Sequence, residues 1–342
     1  MPLMPPIPVG LVGYGSAGAT FHAPLIRSVP QLRLQSVVTS RAEQVAQLGG
    51  PRAVSSVAEA LADPEIQLVV IASPSATHFE GARQALEAGK HVVVDKPFAL
   101  KVSEADELIA LAKKKGRALS VFQNRRWDGD YLTVKRLIRE GLLGTVYHYE
   151  AHYDRYRPEI RQRWREQPGP GSGMLYDLGP HLVDQALQLF GKPDAVMADA
   201  FGQRPGSETI DYFHIVLQYG ARRAILHASM LAPAPGPHFT VHGDRGSFTK
   251  FGMDPQEDFL KAGKGPRDPG WGVDTRDGEL ALADGSRRSV ATERGSYETF
   301  YVRMAEHIAG RGPAPVDPAD ARDGLKVIEE VIRRSQPFWP PG

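Results

Sequence analysis

Close to the N-terminus, directly after the apolar run 9–12, the chain reads Gly13-Tyr14-Gly15-Ser16-Ala17-Gly18 and then opens a helical pattern. Three glycines at that spacing do separate jobs. The first permits a tight turn, the second lets the backbone approach a pyrophosphate, and the third lets helix and strand pack closely. The spacing alone is a weak signal, because a glycine-rich turn with no ligand is written in the same letters. Its place in a strand, turn and helix at the start of the chain points to a dinucleotide site.

The segments that follow keep that rhythm. Short β-rich runs at 34–38, 68–72, 91–94 and 119–122 are bounded by Gly, Ser or Pro, and helical patterns at 79–88 and 103–115 lie between them. Strand alternating with helix predicts an α/β domain, a doubly wound parallel sheet with helices on both faces. After about residue 123 the pattern changes. A linking helix at 131–140, with Leu132, Leu137 and Ile138 on its inner side, leads into strand-like runs at 146–153, 195–201, 212–219, 224–230 and 239–242. Runs with few helices between them predict a large open, mostly antiparallel sheet in an α+β domain. Pro180 suits a first helical position, so a helix is expected over 180–190. Two more helices, 297–308 and 318–333, close the chain, and 254–272, rich in Gly, Pro and charge, reads as loop. The division expected is 1–123 for the nucleotide domain and 124–342 for substrate binding and oligomerisation, in keeping with 342 residues at roughly 100–200 per domain.

Composition narrows the function classes. Lys plus Arg number 41 against 40 Asp plus Glu, so a net charge of +1 gives no field to gather nucleic acid or anionic lipid. With no Cys there is no disulfide framework and no thiolate nucleophile. The segment 1–8 carries four prolines and no Lys or Arg, unlike a signal peptide, and no run approaches the roughly 18 apolar residues of a membrane span. A soluble, cytoplasmic protein is the expectation. The 11 His are scattered and suggest no metal.

Three further stretches carry chemistry. About 20 residues beyond the glycines, where an NAD site places an acidic residue, stand Thr39, Ser40 and Arg41. Two hydroxyls and a guanidinium favour a 2′-phosphate, hence NADP, although an exposed Arg near a helix start is also unremarkable. Asp95-Lys96-Pro97 stands at the carboxyl end of a strand, where open α/β sheets bind ligands; the proline restrains Lys96 and its peptide bond is a candidate for cis. In Asp177-Leu178-Gly179-Pro180-His181-Leu182-Val183-Asp184, one His lies beside two carboxylates, a spacing that serves a structural cluster as well as a catalyst. Along 147–165, Tyr147, Tyr149 and Tyr153 alternate and Arg155, Arg157, Arg161, Arg163, Trp164 and Arg165 follow. Tyr153, Arg155 and Trp164 are candidates for a wall against a polyhydroxylated ring; sheet packing and solvent account for most of the rest.

These motifs together resemble the glucose–fructose oxidoreductase, inositol dehydrogenase and rhizopine catabolism (Gfo/Idh/MocA) family. The resemblance runs nearly the whole chain: the glycine turn with Phe21-His22-Ala23-Pro24, Ser73-Pro74-Ser75-Ala76-Thr77-His78, Asp95-Lys96-Pro97, Asn124-Arg125-Arg126-Trp127-Asp128, and 177–184. The bacterial branch that includes NADP-dependent scyllo-inositol dehydrogenases is the most similar, through its Phe-His-Ala-Pro and Asn-Arg-Arg-Trp-Asp runs and Asp154-Arg155-Tyr156-Arg157-Pro158. Asp95 stands where Glu is familiar, which keeps the charge.

The resemblance implies a Rossmann domain, a second domain whose open sheet makes homodimer or homotetramer contacts, and an active site between them. Lys96, Asp177 and His181 match the family's catalytic lysine, aspartate and histidine, with Asp177 and His181 also touching substrate. Gly13, Tyr14, Gly15, Ser16, Gly18, Ser40, Arg41, Ser73, Pro74, His78, Asp95, Lys96, Pro97, Asn124 and Arg126 are implied around NADP or NAD. The chemistry expected is hydride transfer between nicotinamide and a secondary alcohol or ketone of a cyclic polyol or sugar-like compound. His181 is the expected base, its protonated form disfavoured by a helix start and favoured by Asp177, and Lys96 stabilises the developing alkoxide. A catalytically silent nucleotide sensor, or the same reaction on a dihydrodiol or keto sugar, are the alternatives.

Overall fold

The computed structural model describes residues 5–335. Residues 1–4, part of the proline-rich segment read above, lie outside the described residues. Two compact units form, one from Met1–Asn124, Gln256–Trp271 and Ser296–Arg322, the other from Arg125–Pro255, Gly272–Gly295 and Asp323–Gly342. The sequence suggested a single division after residue 123, whereas the chain returns to the first unit twice. No helix among the described residues is long and apolar enough to cross a membrane.

The first unit is built on six strands: β1 (Ile7–Val12), β2 (Leu32–Val38), β3 (Arg52–Val54), β4 (Leu68–Ile71), β5 (His91–Asp95) and β6 (Leu119–Phe122). They pair in parallel in the order β3-β2-β1-β4-β5-β6. All four residues of β4 are buried and only His91 of β5 is not, as strands covered on both faces require. The connecting helices are α1 (Ala23–Ser28), α2 (Ala42–Ala46), α3 (Val57–Ala62), α4 (His78–Glu87) and α5 (Val102–Lys115), the last stopped by Gly116 at φ +62°. Strand order reverses direction at β1 and β4, the switch point outside which such sheets bind ligands. The glycine turn leaves β1 at that point.

The second unit opens with α6 (Gly129–Arg139). Its buried face carries Tyr131, Thr133, Val134 and Leu137, with Leu132 and Ile138 only half-buried, so the expected inner stripe was turned by part of a residue step. Then come β7 (Val146–Asp154), α7 (Gly173–Phe190), β8 (Ala195–Phe201), β9 (Tyr212–Tyr219), β10 (Arg222–Ser229), β11 (Phe239–Gly243), β12 (Gly246–Lys250), β13 (Gly278–Leu282) and β14 (Arg287–Val290). Their order is β14-β13-β12-β11-β7-β10-β9-β8, antiparallel throughout except where β10 runs parallel to β7. Burial alternates along β7, β9 and β10, one face covered and the other half-open.

The returning segments carry α8 (Gln256–Lys261) and α9 (Glu298–Ile308), and α10 (Pro318–Arg334) ends the described chain. The stretch read as loop therefore holds a helix and Trp271, which is fully buried and donates Nε1–H to Glu298 at 2.8 Å. Aromatic bulk explains the return. Phe300 and Tyr301 pack on Phe122 with ring centroids 5.0 and 5.7 Å away, a hydrophobic gain that Gly, Pro and charge in the flanking sequence conceal.

Candidate active site

In the first unit the three glycines of the turn are distinguishable by what surrounds them. Gly13 has φ +98°, and a Cβ there would lie 2.7 Å from the Ala72 carbonyl oxygen. A Cβ on Gly18 would run into the carbonyl oxygen of Gly13. Both glycines are thus required by the protein's own packing. Gly15 is exposed and a Cβ on it would meet nothing within 4 Å, so its smallness leaves an opening toward solvent beside exposed Ser16. That opening at the switch point fits a pyrophosphate. Tyr14 is buried, which raises its phenol pKa, and it offers the turn its carbonyl: Arg41 Nη1 donates to it at 3.4 Å. The Arg41 amide donates to Thr39 Oγ1 at 3.0 Å, and Ser40 and Arg41 stand exposed at the end of β2, with no carboxylate among these residues.

Lys96 follows β5, and its bond to Pro97 is cis. Asp95 Oδ1 accepts from the Lys96 amide at 2.8 Å. Burial works to raise the Asp95 carboxyl, but His22, 3.7 Å away, and the charge of Lys96 hold it below the ordinary value. His22 is itself fully buried, packed 4.4 Å from Phe122 between ring centroids, and shares a 2.5 Å hydrogen bond between Nδ1 and the Tyr301 hydroxyl. The Phe-His-Ala-Pro run, read from the sequence only as a mark of resemblance, thus places an imidazole beside the lysine loop. Tyr301, 279 residues further on, carried no signal at all.

His78 is interior, with Nδ1 2.7 Å from the Pro97 carbonyl and Nε2 2.9 Å from the Ser73 carbonyl. Burial pushes its pKa down. With both ring nitrogens facing backbone, it ties the loop after β4 to the loop after β5. The Ser73 and Thr77 hydroxyls bond at 2.7 Å beside Pro74, and Asn124 is buried at the end of this unit.

In the second unit α7 begins at Gly173, seven residues ahead of the expected start, and Pro180 lies inside it. The apolar stripe Met174, Leu175, Leu178 and Leu182 continues through the proline, whose missing N–H leaves one intrahelical bond unmade. His181 is therefore mid-helix and buried, and the helix-start effect expected on it does not apply. The same extension sharpens another relation: Asp177 is one turn before His181 and Asp184 three residues after it, all on one stripe. Asp177 receives Arg165, whose Nε lies 3.3 Å from Oδ1. Asp184 is gripped by the fork of Arg126, with Nε to Oδ2 at 2.8 Å and Nη2 to Oδ1 at 2.7 Å. Arg126 thus positions the turn before α6 against α7.

The wall residues separate. Trp164 is exposed, with the Arg165 guanidinium 4.7 Å from its ring centroid. Arg155 is half-buried. Tyr153 is 1% exposed, beneath Arg125 at 5.4 Å and beside His238, so it belongs to the packing of the sheet and does not form a wall. Sequence reasoning missed Arg204, which is buried and organises the arginine-rich loop: Nε donates to Asp211 at 2.7 Å, Nη2 to Glu166 at 3.0 Å, and Nη1 to the Arg157 and Glu159 carbonyls at 3.1 and 2.9 Å.

Two family models match in succession: the NAD-binding Rossmann fold of the GFO/IDH/MocA oxidoreductase family over residues 7–123, and that family's C-terminal alpha/beta domain over 135–337. The chain belongs to the GFO/IDH/MocA family. It is an oxidoreductase that uses a nicotinamide dinucleotide, and its parallel six-stranded sheet and large mixed sheet are the family's two domains. Among GFO/IDH/MocA relatives it is 49% identical to the uncharacterised oxidoreductase YdgJ of Escherichia coli, covering 96% of each chain. It is 42% identical to scyllo-inositol 2-dehydrogenase (NADP(+)) IolW of Bacillus subtilis, covering 96% of this chain and 94% of that one. The solved structure of yvaA from Bacillus subtilis superposes with a TM-score of 0.93 at 41% identity, over 96% of this chain and 95% of that one.

Proposed function

We propose that this chain is an NADP-dependent dehydrogenase or reductase that moves a hydride between nicotinamide and a secondary alcohol or ketone of a cyclic polyol, with scyllo-inositol the lead substrate. The observation that carries the reading is the full-length likeness to an NADP-dependent scyllo-inositol 2-dehydrogenase. Exposed Ser40 and Arg41, where a carboxylate would repel a 2′-phosphate, support the choice of cofactor.

Bound nicotinamide supplies the hydride acceptor or donor. The opening at Gly15 would hold the pyrophosphate, and the Arg41 guanidinium, which donates to the Tyr14 carbonyl, would hold the 2′-phosphate. Lys96 Nζ donates a hydrogen bond to the substrate oxygen as charge develops on it. The His181 imidazole takes up the hydroxyl proton, and the Asp177 carboxylate one turn away favours the imidazolium that results. In the reverse direction the same groups polarise a carbonyl and return a proton. His78, the His22–Asp95 pair and Arg126 touch only protein in this scheme and act by holding loops in place.

Absorbance of the reduced nicotinamide, followed across a panel of inositols and sugars with NAD and NADP in parallel, tests substrate and cofactor together. Lys96→Met and His181→Ala should each lose at least about 10²-fold in turnover on the substrate so found. Near-native turnover in either variant removes that residue from the mechanism, and a strong preference for NAD removes the role given to Ser40 and Arg41.

A further inference from the structure

We propose that the half-open face of the second unit's sheet carries a divalent transition-metal site, with His152, Asp154 and His227 as ligands and Zn²⁺ as the ion best suited to them. Parallel pairing of β7 and β10 sets His152 opposite His227, and Asp154 lies two residues on from His152, on the same face. Each residue offers one ligand atom, and the three atoms lie within 4.8 Å of one another. Asp154 bridges the set: Oδ2 is 3.3 Å from His152 Nδ1 and Oδ1 is 3.3 Å from His227 Nε2.

The His152 contact is a hydrogen bond at the long end of the range and the His227 contact an ion pair of the same length, so the carboxylate sits loosely between two rings. Two imidazole nitrogens and a carboxylate oxygen so grouped can converge on one small ion, and Zn²⁺ takes such ligands at roughly 2.0–2.2 Å. The Asp154 side chain is 10% exposed, and its Oδ1 is buried with no hydrogen-bond partner among the described residues. A buried carboxylate oxygen left in that state costs stability, and a cation relieves it. A second carboxylate completes the pattern. Glu150 Oε2 is 3.3 Å from His152 Nε2, on the far side of the ring from Asp154. This carboxylate–histidine–ligand order fixes the tautomer that leaves Nδ1 its lone pair. Two imidazoles and one carboxylate leave one position of a tetrahedral ion for water.

The site takes no part in the reaction proposed above and is tested without a substrate. Tag-free full-length protein, stripped with chelator, loaded with Zn²⁺ and desalted, is assayed for metal by emission spectrometry. Its affinity is then read by competition with a chromogenic chelator. Zinc should be retained by the wild type, at whatever stoichiometry, and zinc should raise its thermal midpoint. Asp154→Asn and His227→Gln should each weaken binding at least about tenfold and abolish that rise. Glu150→Gln, which keeps all three ligands, should weaken it roughly 10- to 100-fold and serves if the ligand variants fail to fold. His242→Gln, at the neighbouring stacked pair with His148, should bind as the wild type does. No retention by the wild type, or equal losses in His227→Gln and His242→Gln, would overturn the proposal.

Discussion

Arg165 Nε stands 3.3 Å from Asp177 Oδ1, each side chain 29% exposed, and Asp177 lies one helical turn ahead of His181. The guanidinium therefore offsets part of the Asp177 charge one turn from the imidazole. Removing the cation increases the net negative charge near the imidazole and favours protonated His181, so the acidic limb of the kcat/KM profile should move to higher pH in Arg165→Met. Arg165→Lys keeps the charge and should move it little. Profiles measured on the substrate identified above check this, and an unmoved limb in Arg165→Met would separate Asp177 from the titration of the base.

The glycine turn predicts a dissociation of stability from binding. Gly15→Ala adds a methyl into open space and should leave the thermal midpoint within a few degrees of the wild type. The same methyl lies where the pyrophosphate is proposed to sit, so affinity for NADPH, read by fluorescence titration, should fall at least about tenfold. Gly18→Ala drives a methyl into the Gly13 carbonyl and should cost on the order of 3 kcal/mol or more of stability. Equal effects of the two substitutions on the thermal midpoint would contradict this division of labour.

Arg41 separates the two cofactors. A charge-assisted hydrogen bond contributes about 1.5–3 kcal/mol, so Arg41→Ala should raise KM for NADP by roughly tenfold or more while leaving KM for NAD nearly unchanged. Parallel initial-rate measurements with both coenzymes decide it. A uniform loss with both would mean that Arg41 serves the turn through the Tyr14 carbonyl and does not read the phosphate.

What was legible in the sequence was what short-range patterns encode. The strands later found as β1, β2, β4, β5 and β6 are four to seven residues long and rich in Val, Leu and Ile, whereas β3 has three residues and α2 five, too few for a period to show. The start of α7 was misplaced because Pro180 imitates a first helical position, while the apolar stripe from Met174 onward was the truer guide. Gly13 and Gly18 were readable because backbone sterics demand them locally. The partnerships His22 with Tyr301, Arg165 with Asp177 and Arg204 with Glu166 were not, because tertiary folding alone brings those residues together. The same holds for His152 and His227, which looked unrelated until the parallel pairing of β7 and β10 set them side by side.

A buried pair in the second unit should make stability respond to pH in a way that only a variant reveals. Asp130 is fully buried, and burial, together with the Asp254 charge, pushes its pKa up from 3.8 to about 7. His238 Nε2 lies 3.6 Å from Asp130 Oδ2, and burial pushes that imidazole down from 6.5 to about 3. The stability owed to Asp130 is complete below its unfolded value of 3.8 and is lost as pH rises toward 7. The stability owed to His238 is complete above 6.5 and is lost as pH falls toward 3. Between those limits the two slopes oppose each other, each at most about 1.4 kcal/mol per pH unit, and largely cancel. His238→Gln removes one of them. Its unfolding free energy relative to the wild type should therefore decline as pH is raised from about 4.5 to about 6.5 in denaturant titrations, whereas Asp130→Asn should show the opposite trend. A constant difference from the wild type in both variants would mean that neither group keeps its shifted protonation state in the fold.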